Sequence, residues 1–211
     1  MFTRREMCAG LSALAAAPVL GPNALEVKQV VHRGRSCLQL VDQLGLVPGH
    51  RLHRLAVGGF TNGVVEGWLC GAPIPGASLG ARGFVGVAFR SVAEPLAYEC
   101  IYVRVANARA DDPVRRSRVI QYVCEPTHPW ERLRSETPGI YEAGADAEVD
   151  VWSRFRLTVQ GSIAMWFLGD PGEPALVVRD LKRGAGASGG VDLWIGPETI
   201  GRFADVRITR T

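Results

Sequence analysis

The stretch from Gly83 to Val123 constrains the fold of this chain more than any other. It holds three short runs, Phe84 to Arg90, Tyr98 to Val105 and Val119 to Val123, each rich in β-branched and aromatic residues and bounded by turn formers. That is the pattern of strands. Successive side chains of a strand point to opposite faces. Val85, Val87 and Phe89 are therefore expected on one face, with Phe84, Gly86, Ala88 and Arg90 on the other. In the second run Ile101, Val103 and Val105 oppose Tyr98, Cys100, Tyr102 and Arg104. Short connections favour antiparallel neighbours. The prediction is a meander with an apolar face in the core and an open face of small residues, tyrosines and two arginines.

The rest of the chain repeats this grammar. Strands are expected over Glu26 to Val31 and Ser36 to Val41, with a turn at Val47-Pro48-Gly49-His50 and a tight turn at Asn62-Gly63 before Val64 to Cys70. Gly71 to Gly83 is a loop. The span from Glu125 to Ala147 lacks sheet periodicity, as functional loops often do. Trp152 to Val159, Ile163 to Leu168 (entered through Gln160-Gly161-Ser162), Ala175 to Val178 (after the Gly169-Asp170-Pro171-Gly172 turn), Val191 to Ile195 and Phe203 to Thr209 complete about ten strands with almost no helical period. The expected fold is all-β, a two-sheet antiparallel jelly-roll sandwich over residues 25–211, with the last strand returning beside an early one.

Residues 1–24 read as a targeting segment. Thr3-Arg4-Arg5 precedes a mildly apolar run ending in small residues, which resembles a twin-arginine export signal. The expectation is a periplasmic or secreted protein. A net charge of +3 is too small to argue for a nucleic-acid partner, and no apolar run reaches the 18 residues of a membrane span. Beyond the signal, Cys37, Cys70, Cys100 and Cys124 make an even set. Parity places Cys100 on the open face and Cys124 on the core face, which argues against a bridge between them; free buried thiols are the other reading.

The residues also resemble a family. Phe84-Val85-Gly86-Val87-Ala88-Phe89-Arg90, Tyr98 to Arg104, Gln121-Tyr122 and Trp130 are similar to the concanavalin A-like lectin/glucanase superfamily, nearest its laminin-G-like and 3-keto-disaccharide hydrolase-type bacterial domains. Trp152 to Val159, Leu176 to Leu181 and Phe203 carry the likeness onward, over roughly residues 50–210. It implies a carbohydrate partner met on a concave sheet face, as a binding module or a glycosidase. The glucanase pattern Glu-x-Asp-x-x-Glu is imitated only by Glu148-Val149-Asp150, with Ser153 at the third acid, so these read as strand-edge acids.

Glu66, mid-strand and opposite Val65 and Leu69, is the candidate catalytic acid. Trp68, Arg90, Tyr102, Arg104, Gln121 and Trp130 are the candidate ligand-binding residues. Flat aromatic rings suit the C–H face of a sugar, and arginine forks donate paired hydrogen bonds to hydroxyls and carboxylates. A solvated sheet face with its arginines paired to acids is the competing reading. No zinc set surrounds His32, His50, His53 or His128, and no cofactor is expected. Asp111-Asp112 and Asp170 offer oxygen ligands for calcium without its consensus loop. Three functions remain open: an exported carbohydrate-binding sandwich, a glycoside hydrolase, and a structural or protein-interaction sandwich.

Overall fold

A computed structural model of the chain describes residues 25–42, 51–169 and 172–211. The expected targeting segment at 1–24, the expected turn at Val47 to His50 and Asp170 lie outside the described residues. The fold is all-β: two antiparallel sheets packed face to face as a jelly-roll sandwich. The strands are β1 (Leu25–His32), β2 (Arg35–Asp42), β3 (Leu52–Phe60), β4 (Gly63–Pro73), β5 (Phe84–Val92), β6 (Ala97–Arg104), β7 (Ile120–Glu125), β8 (Glu142–Ala143), β9 (Ser153–Gln160), β10 (Ile163–Leu168), β11 (Leu176–Val178), β12 (Gly189–Ile195) and β13 (Thr199–Arg210). Two short α-helices, α1 (Pro113–Arg116) and α2 (Trp130–Glu136), and a 3-10 turn at Val105–Asn107 interrupt them.

One sheet has seven strands in the order β1-β2-β13-β4-β9-β10-β11, and the other six in the order β3-β12-β5-β6-β7-β8. The expected meander is β5-β6-β7, antiparallel throughout, with Val87 opposite Ile101 and Ile101 opposite Tyr122. The last strand, β13, does return beside early ones, pairing β2 on one side and β4 on the other. It fills the middle of its sheet, so its backbone groups are satisfied on both edges.

The core forms where the inward residues of both sheets meet. Val65 and Leu69 of β4, Phe155, Leu157 and Val159 of β9, Trp166 of β10 and Phe203 of β13 pack against Val85, Val87, Phe89, Ile101, Val103, Tyr122 and Leu193. Burying each large apolar side chain contributes roughly 1.5–3 kcal/mol. The phenyl ring of Phe155 stacks on the indole of Trp166 at 5.4 Å. Cys37, Cys70, Cys100 and Cys124 are free and buried. Cys124 belongs to this core, whereas Cys100 lies on the outer face of the six-stranded sheet.

Two features depart from expectation. Strand β3 carries no clean alternation: Gly58 and Gly59 take positive φ, and its register with β12 shifts twice, which hides it from a period-two reading. The span after Glu125 is not all loop, because α2 occupies Trp130–Glu136 and lays Leu133 into the core.

Candidate functional site

The outer face of the six-stranded sheet carries an aromatic floor. Tyr102 of β6 and Trp194 of β12 both lie opposite Gly86 of the intervening β5. Glycine leaves the middle of this row empty, and the two rings close over it to stack at 4.6 Å. Phe84 meets Tyr102 edge-on at 6.1 Å. Leu52, Ala88, Cys100 and Val123 pack in the same cluster.

Beside this floor a cleft of about 300 Å³ opens, lined by Arg82, Phe84, Tyr102, Arg104, Asn107, Arg115, Arg118, Trp130 and Arg134. The strand supplies Tyr102 and Arg104. The segment between β6 and β7 supplies Asn107, Arg115 of α1 and Arg118, and α2 supplies Trp130 and Arg134. Asp112 caps α1 by accepting a hydrogen bond from the Val114 amide at 2.8 Å, which shapes the turn that presents Arg115. Arg134 lies four residues after Trp130, so both share one helix face, and the guanidinium sits 4.4 Å from the indole centroid. Trp130 remains 37% exposed.

Arg104 is only 7% exposed. It donates to the Tyr102 hydroxyl at 3.1 Å, to Gln121 Oε1 at 3.1 Å and to the Arg118 carbonyl at 3.2 Å. Gln121 donates in turn to the carbonyls of Tyr122 and Tyr141. Behind them Glu142 gathers Arg134, Arg118 at 3.5 Å and Arg104 at 3.7 Å. Burial lowers the Arg104 pKa, with Arg134 and Arg118 adding to the effect, while Tyr102 and Glu142 oppose it. Burial also pushes the Tyr102 phenol well up, so it is a neutral hydroxyl. Arg82 is lowered by burial and by Arg115 and Arg104 beside it. Two polar atoms of the cleft, Asn107 Oδ1 and Arg115 Nε, are buried without a hydrogen-bond partner among the described residues.

The expected site residues do not share one surface. Tyr102, Arg104 and Trp130 line the cleft, and Gln121 is a fully buried support beneath it. Glu66 and Trp68 belong to β4 in the other sheet, on its outer face. There Glu66 pairs with Arg156 at 3.6 Å and Arg154 at 3.8 Å, and Arg35 covers the Trp68 ring at 3.8 Å.

Arg90 is on neither outer face. A bulge in β5 gives it φ 51° and shifts the register with β6. One inserted residue reverses side-chain parity, and Arg90 turns inward to 0% exposure. It donates to the carbonyls of Thr61, Gly161 and Gly184 and lies 3.4 Å from Glu99. Glu99 also accepts from the Tyr122 hydroxyl at 2.8 Å and the Arg183 amide at 3.2 Å. This buried pair ties three turns together at one end of the sandwich.

Sequence spacing missed one further grouping. His32, Cys70 and Asp150 place ligand-type atoms within 4.8 Å of one another, the one such set among the described residues. Asp150 is already paired with Arg202 at 2.8 Å and Arg33 at 3.2 Å. Burial, with Asp150 beside it, pushes the Cys70 thiol up to about 11, so it sits here as a protonated donor. Two guanidiniums on one carboxylate fit an ion-pair hub better than a metal centre. Of the other proposed cation ligands, Asp112 caps α1, and neither it nor Asp111 falls in such a set.

No family model matches the chain, and no curated protein matches it. Solved structures of similar shape include a protein of unknown function with a galectin-like fold from Bacillus subtilis (12% identity, TM-score 0.49, covering 89% of this chain and 90% of that one). They also include the carbohydrate binding module CBM66 from Bacillus subtilis (11%, 0.48, 88% and 95%). A third is the Caenorhabditis elegans galectin LEC-6 (11%, 0.44, 77% and 93%).

Proposed function

We propose that this chain is an exported carbohydrate-binding β-sandwich of the concanavalin A-like type, with its ligand seated in the cleft of Tyr102, Arg104 and Trp130. The observation that carries the reading is the convergence in one cleft of an exposed indole, the Phe84 and Tyr102 rings at the edge of the aromatic floor, and a buried acceptor, Asn107 Oδ1, that meets no partner among the described residues. Aromatic faces receive the C–H face of a sugar ring, and fixed donors and acceptors read its hydroxyls. The volume stands at the small end of ligand pockets, roughly 300–1,000 Å³, and suits one ring with its substituents.

Binding is favoured over cleavage. Glycosidases commonly need two carboxylates, about 5–9.5 Å apart across the bond. Among the described residues, the carboxylate paired with the arginines of this cleft is Glu142, its side chain 5% exposed and held by Arg104, Arg118 and Arg134. Glu66, the candidate catalytic acid, would act on the other sheet. Export rests on the twin-arginine-like segment at 1–24, and cleavage of that segment in a membrane-fractionated host would be its test.

The binding test is a glycan array followed by calorimetry on the best ligand. Trp130→Ala, on the exposed side of α2, is expected to weaken binding by about tenfold or more, the loss of an aromatic contact, with the thermal melt unchanged. Binding that survives in Trp130→Ala and disappears in Trp68→Ala would move the site to the seven-stranded sheet.

A further inference from the structure

The cleft is far more cationic than recognition of neutral hydroxyls requires. Five guanidiniums line it, those of Arg82, Arg104, Arg115, Arg118 and Arg134. Glu142 is the carboxylate that Arg104, Arg118 and Arg134 share, and its strongest contacts go to Arg134. Among the described residues, Arg82 donates only to the carbonyls of Leu79 and Ala81, and Arg115 Nε is buried and meets no acceptor. Holding like charges in a half-buried site costs free energy unless an anion joins them. A low-dielectric cleft of one sign also concentrates the field on its contents. Arginine is the side chain whose planar fork matches carboxylate and sulfate oxygens two at a time. The aromatic walls Phe84, Tyr102 and Trp130 stand around the same space.

We infer that the ligand is an acidic saccharide, whose ring lies against the aromatic walls and whose carboxylate or sulfate is taken by Arg82, Arg115 and Arg118. This rests on the reading of the cleft as a sugar site. A nucleic-acid backbone is the weaker fit. The chain's net charge is only +3, and a 300 Å³ cleft holds one ring where a strand needs an extended basic track.

The test pairs each acidic oligosaccharide with its neutral counterpart. Uronate oligomers of several backbones are compared with their methyl esters, and sulfated galactan oligomers with desulfated ones, by calorimetry on the full chain. Inorganic phosphate and a short single-stranded oligonucleotide are the non-saccharide arms. The expected result is an acidic form bound about tenfold or more tighter than its neutral partner, as charge-assisted hydrogen bonds allow. That preference should shrink from 50 mM to 500 mM salt as screening rises. It should also narrow in Arg115→Gln and Arg82→Gln with the thermal melt retained, while Arg154→Gln on the opposite sheet leaves it intact.

Whether carboxylate or sulfate wins identifies the acidic group. Equal binding of acidic and neutral forms overturns this inference and leaves the sugar cleft standing. Failure of every glycan overturns both. Phosphate or the oligonucleotide binding as tightly as the best acidic glycan overturns the saccharide assignment.

Discussion

Arg90 shows how much one residue's backbone can decide. Its sequence neighbours predict an outward guanidinium, and the φ of 51° at the bulge turns it inward onto Glu99 and three turn carbonyls. A buried ion pair is costly to break from one side, because the orphaned charge stays behind. Arg90→Met is therefore expected to lower stability by roughly 3–5 kcal/mol in urea unfolding. Arg90→Met/Glu99→Gln should lose less, since no bare carboxylate remains. His53 supplies the pH dependence. Burial holds its imidazole below the ordinary value, with Asp192 working the other way. The unfolded chain then takes up the proton first as pH falls, so stability is full above the ordinary histidine pKa and is lost on acidification through it. His53→Gln should flatten the slope of unfolding free energy between pH 7.5 and 5.5, in part only, because His128 is lowered too.

Among the elements, β5 does most to build the binding face. Its inward residues Val85, Val87 and Phe89 seal the core, as alternation predicts. Its outward Gly86 is what lets Trp194 and Tyr102 meet across it. A Cβ at this position would fall 2.4 Å from the Ile101 carbonyl and 2.5 Å from Tyr102 Cβ. Gly86→Ala is expected to cost about 1–3 kcal/mol as overpacking and to diminish the near-ultraviolet circular dichroism of the Trp194–Tyr102 stack. Retention of both signals would mean that the row is not as tight as drawn. The contribution of α2 was harder to read. Seven residues starting with Trp130 and burying only Leu133 are too few to display a helical period, so Arg134 and its place over the indole emerge only from the fold.

In the whole molecule, β13 closes the structure. It lies between β2 and β4 and sends Phe203 into the core. Deleting residues 199–211 would leave two unpaired edges in the middle of a sheet. The expected outcome is loss of the cooperative melt and aggregation on expression, checked by circular dichroism and gel filtration. Closure also divides the outward residues. Glu66 and Trp68 go to one exterior, and Tyr102, Arg104 and Trp130 go to the other. Most strands apart from β3 and β8, the inward sets of β4, β5, β6 and β9, and the opposed faces of Cys100 and Cys124 were legible in the chain, because a period of two is a local property of an extended backbone. Which sheet each strand joined, which outward side chains became neighbours, and where a bulge reversed the count were decided by the tertiary structure. Strand pairing is a long-range choice of partner and register, and a single inserted residue sends every later side chain to the opposite face.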